Sequence, residues 1–103
     1  MAVATFLLDP VISTGVGRTL QLQGHSFTFQ AKVSGTGAVS ATIIVQVSND
    51  TDTWFDLVTF VLSGTTSDSD GEAVEAPWAF ARGKVSALSG TGATAQILMG
   101  IAA

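Results

Sequence analysis

The chain has 103 residues, a net charge of −4, no cysteine, 47% hydrophobic residues and 12% charged ones. That length suits one domain of ordinary size, and the hydrophobic fraction excludes a disordered chain. Four Lys/Arg against eight Asp/Glu argue against a nucleic-acid footprint, and zero Cys excludes disulfides, zinc-thiolate sites and Cys nucleophiles together. The first predicted element covers residues 3–8. Its apolar run follows no Lys or Arg and is cut short at Asp9-Pro10. A signal peptide needs a basic start and a longer apolar stretch, and a membrane span needs about 20 apolar residues. Neither is expected, and the protein is expected to be made in a cytoplasm and left there, or assembled into something there. With Gly15-Val16-Gly17 following, residues 1–22 read as an N-terminal arm or edge strand, which includes a weak strand beginning at Thr19. Residues 23–103 read as a single β-sandwich domain.

Period-two alternation takes over at Ser26. Phe27, Phe29, Ala31 and Val33 share one face of residues 26–34, and Ala41, Ile43, Val45 and Val47 share one face of residues 40–48. Residues 54–63 and 78–88 are strands with apolar residues on both faces. Residues 93–101 alternate again through Ala93, Ala95, Ile97, Met99 and Ile101. Such alternation marks half-buried antiparallel strands. Ser34-Gly35-Thr36-Gly37-Ala38 recurs as Ser89-Gly90-Thr91-Gly92-Ala93, and each copy reads as a hairpin turn between strands. Residues 65–77 read as a loop. No segment repeats with helical period. About seven strands at even spacing predict an all-β fold: an antiparallel β-sandwich of jelly-roll or Greek-key type without significant helix.

Chemistry is sparse. His25 is the sole histidine, the chain has no Tyr, and no G-x-S-x-G elbow is present. An enzyme is therefore not expected, and neither is a cofactor. Asp68-Ser69-Asp70-Gly71-Glu72 looks like part of a Ca²⁺ loop, but the remaining spacing and the flanking helices are missing. It reads as a solvated acidic turn, and no metal is expected. Asn49-Asp50-Thr51-Asp52-Thr53-Trp54 reads as a polar turn, with Trp54 either packed at the sandwich end or exposed as a sugar platform.

The most informative strand follows Pro77. Ala79, Ala81, Gly83, Val85 and Ala87 alternate with Trp78, Phe80, Arg82 and Lys84. Half of the positive charge lies on one strand face beside two aromatics, a mixture enriched at protein interfaces. Trp78, Phe80, Arg82 and Lys84 are the candidate partner interface. Val3, Phe6 and Leu7 join them if the N-terminal segment reaches a neighbour, with Pro10 limiting uncontrolled pairing.

The runs Val45-Gln46-Val47-Ser48-Asn49-Asp50-Thr51-Asp52-Thr53-Trp54, Leu62-Ser63-Gly64, Ala76-Pro77-Trp78-Ala79-Phe80-Ala81-Arg82 and Leu88-Ser89-Gly90-Thr91-Gly92-Ala93 resemble small virion proteins of tailed bacteriophages. Those carry a VQVSNDGTNW…L…SG…PWAYVRA.V…SGTGA pattern. The resemblance runs from Val45 onward and departs at Thr51, where Gly would turn more easily. It implies a jelly-roll or Greek-key sandwich that oligomerises and decorates, or cements, the outer capsid surface. The implied partners are the major capsid protein and further copies of the chain, with no nucleic acid, no membrane and no catalytic residue. The alternatives are a tail or fibre accessory protein, or a carbohydrate-binding module using Trp54 or Trp78.

Overall fold

The structure, a computed structural model, describes residues 2–22, 26–75 and 77–102. His25 lies outside them. Nine strands run in chain order: β1 (Ala2–Val11), β2 (Gly15–Val16), β3 (Leu20–Gln21), β4 (Ser26–Ser34), β5 (Val39–Ser48), β6 (Phe55–Gly64), β7 (Ser67–Glu75), β8 (Phe80–Ser89) and β9 (Thr94–Ala102). No helix occurs among the described residues.

The strands form two antiparallel sheets. One has the order β1-β9-β4-β7; the other has β2-β8-β5-β6, with β3 continuing the β2 edge along β8. If β2 and β3 count as one broken strand, eight strands pair from the outside inward. The first pairs with the last, the broken second with the next to last, β4 with β7, and β5 with β6. A long hairpin rolled onto itself gives this order, and the result is a jelly roll.

The alternation builds the core. β4 alternates buried and exposed along its whole length, with Phe27, Phe29, Ala31 and Val33 inside. These residues meet Ile43, Val45, Val85, Ile97 and Met99 between the sheets. β5 is buried on both faces from Ile43 to Ser48 because it lies between β6 and β8. Its outward Ile44 is 9% exposed, covered by the neighbouring strands. Gly83 marks a close approach of the two layers. A Cβ there would stand 2.7 Å from the Leu8 Cβ and 3.0 Å from the Ile97 Cδ1. β1 is an edge strand of the first sheet, and its Leu7 and Leu8 are buried in the common core.

Two readings need correction. Most of the segment read as a loop at residues 65–77 is strand, since Ser67–Glu75 (β7) pairs with β4 over nine consecutive residue pairs. A strand with a neighbour on one side and solvent on the other needs little apolar side chain, so composition concealed it. The two Ser-Gly-Thr-Gly copies are not hairpin turns either. The first carries the chain from β4 to β5 and the second from β8 to β9, so both cross between sheets. They lie side by side, with Thr36 N–H donating to the Thr91 carbonyl at 2.9 Å. A Cβ at Gly35 would stand 2.9 Å from the Thr91 oxygen, and one at Gly90 2.7 Å from the Ala38 oxygen. Each copy leaves room for the other, and Gly90 at φ +123° holds a conformation open to glycine.

Candidate docking face on the second sheet

At the end of the sandwich opposite these corners, the chain turns from β5 into β6. The buried Ser48 hydroxyl accepts from the N–H groups of Asp50 and Thr51 at 3.1 and 3.0 Å, and donates to Asp50 Oδ1 at 2.9 Å. That Asp50 oxygen also accepts from the N–H groups of Asp52 and Thr53 at 2.9 and 2.8 Å. These bonds hold the Asp50 carboxyl below its ordinary 3.8, the Thr53 and Asp52 amides contributing most. The knot forces Thr51 to φ +63°, the position at which the phage pattern has Gly.

The turn delivers two aromatics. The Trp54 indole N–H donates to the Thr51 carbonyl at 3.2 Å, which orients the ring. Asn49 Oδ1 accepts from the Ala79 N–H at 2.9 Å, tying the turn to the entrance of β8. Trp78 thereby lies beside Phe55, with ring centroids 5.4 Å apart.

The β8 alternation then puts Phe80, Arg82 and Lys84 on the outer face while Ala81, Gly83 and Val85 face the core. Arg82 lies over the Trp54 ring, its guanidinium carbon 4.2 Å from the centroid. Its Nε donates to Gln46 Oε1 at 2.9 Å, and Gln46 Nε2 donates to Asp56 Oδ1 at 2.9 Å. Arg82, Gln46 and Asp56 are opposite one another in adjacent strands, so the chain of bonds runs across the sheet at right angles to the strands. Gln46, only 7% exposed, is fixed at both ends of its amide. Among the described residues the Arg82 bonds use Nε alone, and both Nη groups remain for a partner.

The rest of this outer face is small and nearly uncharged. Thr42, Ala87 and Val61 form one row, and Ile44, Lys84 and Thr59 the next. Ser40 and Ser89 share a hydroxyl–hydroxyl bond of 2.6 Å across the neighbouring row. Val16 and Val61 are 53% and 76% exposed on this side.

Of the residues expected at an interface, Phe80, Arg82 and Lys84 share the outer face of β8, whereas Trp78 packs against the core beside Phe55; all four are half-buried in the free chain. The others lie on the first sheet. Val3 pairs with Ile101, Phe6 is half-buried, and Leu7 is fully buried. Sequence reasoning missed Gln46, Asp56 and Phe55. Gln46 carried a signal, since it is a long amide within an otherwise short or apolar strand. The acidic run has no comparable constellation: among the described residues no group of three or more His, Cys, Asp or Glu is placed to hold a metal. Its Asp68 accepts from the N–H groups of Ser63 and Ser69 instead. Comparisons with protein-family models, with curated proteins and with solved structures find no match for the chain.

Proposed function

We propose that the protein is a structural component of a tailed-phage virion, a decoration or cement protein that docks on the outer capsid through the outer face of its second sheet. The observation that carries this reading is the prebuilt cluster of Trp54, Arg82, Gln46 and Asp56 on a face otherwise nearly free of charge. Fixed aromatic and arginine side chains lose little freedom on binding, which makes them efficient anchors. The surrounding Ser, Thr, Ala and Val surface costs little to desolvate, since few charges need new partners. A coat protein offering a carboxylate or paired carbonyls suits the two Nη groups of Arg82. The resemblance from Val45 onward supports the same class, and its SNDTDTW turn and PWAFAR strand are the segments that build the cluster.

A sugar platform has less support. One face of Trp54 is occupied by Arg82 and its indole N–H is already bonded, so stacking on a pyranose would use the other face alone. The test is cosedimentation of the purified chain with undecorated shells of its phage and, separately, with free coat subunits. Retention on shells above that on subunits is expected. No retention on shells would end the decoration reading and leave a tail or fibre role.

A further inference from the structure

The first sheet turns its outer face away from the Arg82 cluster, and the register of its strands sets that face out in rows. Phe6, Leu98, Gln30 and Gly71 are opposite one another in one row, and Ala4, Gly100, Thr28 and Ala73 in the next. Gln96, Lys32 and Ser69 lie beyond the first row, and Ser26 and Glu75 beyond the second. Phe6 and Leu98 are half-buried, while Thr28, Gln30, Lys32, Gly71, Ala73 and Glu75 are exposed.

Size is sorted between the two central rows. The first carries the large apolar residues of the face, Phe6 and Leu98; on the same strands the second carries Ala4 and Gly100. Gly100 is held small, because Thr28 Oγ1 lies where a Cβ would stand. On β7, Gly71 and Ala73 leave a shallow hollow beside Thr28 and Gln30. Charge is sorted too. On β4, β7 and β9 this face carries two charges, Lys32 and Glu75, and Asp9 belongs to the bulged segment of β1. Lys32 is three residues from Phe29 in one direction along β4; Ser26, which is opposite Glu75, is three residues away in the other.

We propose that this face binds the same face of a second copy, sheet on sheet, about a two-fold axis running across the strands over Phe29. That operation lays each strand antiparallel on its own copy and exchanges the two central rows. Leu98 then lies over Gly100 of the copy, Phe6 over its Ala4 position, and Gln30 over its Thr28, so large residues meet small ones as interdigitating layers require. Lys32 lies over Ser26 of the copy, one strand spacing of about 4.8 Å from the copy's Glu75 and within reach of a lysine side chain. The same pair recurs on the other side of the axis. Size and charge select this axis independently. A two-fold over Gln30 would stack Phe6 on Phe6 and Leu98 on Leu98; one parallel to the strands would put Leu98 over Gln30 and leave Lys32 over Gln96. Four strands and eight residue steps give a plane of roughly 500 Å² per copy. About 1,000 Å² in all is the lower limit of a specific contact, so the dimer is weak and reversible. The docking faces then look outward on opposite sides, and one shell engages one copy of each dimer.

The test is sedimentation equilibrium of the full chain from micromolar to millimolar concentration with no shells present, so its outcome is independent of the docking reading. A reversible monomer–dimer equilibrium is expected. Leu98→Lys buries an ammonium group without a partner and should weaken the dimer about tenfold or more with the circular dichroism spectrum unchanged. Val61→Arg, on the outer face of the second sheet, should leave the dimer as it is. Lys32→Glu and Glu75→Lys change exposed side chains that the fold does not need. Each sets like charges against each other at both ends of the contact and should weaken the dimer by roughly threefold to tenfold. An equimolar mixture of these two variants should recover the wild-type affinity, because each contact of the mixed dimer again joins opposite charges. A chain that stays monomeric throughout, an oligomer indifferent to Leu98→Lys or lost with Val61→Arg, or a mixture no tighter than its two components alone would each overturn the proposal.

Discussion

Arg82→Ala separates a docking anchor from a structural support. In the free chain Arg82 contributes a stacking contact with Trp54 and one hydrogen bond to Gln46. A half-exposed cation–π contact is worth about 0.5–1 kcal/mol. The hydrogen bond adds about 1 kcal/mol, much of it the cost of leaving a covered Gln46 oxygen without its donor. Truncation should therefore lower unfolding stability by about 1–2 kcal/mol, which in a domain of this size lowers Tm by roughly 4–15 °C. The loss on docking should be larger. An arginine at the centre of an interface costs about 2–4 kcal/mol when removed, equivalent to roughly 30- to 1000-fold in affinity. Urea unfolding gives the first quantity, and cosedimentation with shells at several protein concentrations gives the second. Arg82→Lys should fall between, since the ammonium keeps the charge but loses the planar stack and the Nε donor. A variant that unfolds by more than about 3 kcal/mol yet binds shells normally would make the cluster an internal brace and remove it from the interface.

Three further outcomes test the parts around it. Thr51→Gly should raise stability by about 0.5–1 kcal/mol, because the relief of a β-branched residue at φ +63° exceeds the added freedom of the unfolded chain; a lower Tm would mean that the turn is unstrained. Gly83→Ala should lower stability by about 1–2 kcal/mol, since the new methyl meets Leu8 Cβ at 2.7 Å and Ile97 Cδ1 at 3.0 Å, and Ile97→Val should relieve part of that loss in the double variant; simple additivity would place the crowding elsewhere. Asp50, whose folded pKa lies below its ordinary 3.8, supports the fold fully above that value and progressively less as pH falls through its folded pKa. Thermal melts from neutral pH to pH ~2 should therefore show a smaller acid loss for Asp50→Asn than for the wild-type chain; an identical loss would assign acid sensitivity to other carboxylates.

The sandwich was legible because its central strands obey one rule along their length. Ser26 to Ser34 alternates without a break, and every second side chain is buried as the pattern requires. β7 was not legible. Ser67-Asp68-Ser69-Asp70-Gly71-Glu72 has the composition of a turn, and only its neighbour β4 makes it a strand. The doubled Ser-Gly-Thr-Gly reads as a hairpin turn in the sequence, but both copies are corners between the sheets. Glycine reports the conformation of a corner, not which sheet the next strand joins. In the candidate site, Phe80, Arg82 and Lys84 were visible as one face of one strand. Their partners were not, because the Arg82–Gln46–Asp56 row depends on the register of three strands, and the bulge opposite Val45 and Gln46 shifts that register by one residue.

The small number of charges takes on meaning from its placement. Asp68 and Asp70 lie along β7 and accept from amides of β6 and β7 that would otherwise face solvent at the sheet edge. Arg18 serves the Phe6 carbonyl at the margin of β1. Charges in such positions hinder a second strand from approaching, since pairing would strip their water without supplying a counter-ion. Arg82 and Lys84 lie instead on the face, where Arg82 keeps a water-accessible guanidinium for a partner acceptor. What carries almost no charge is the rest of that face and the β6 edge next to it. A chain with only twelve Asp, Glu, Lys and Arg residues thus uses several of them to protect edges, and the surface they leave bare is continuous from the Arg82 cluster to Val61. Solubility alone would favour spreading the same charges over that bare surface; their absence there is what the proposed docking would require.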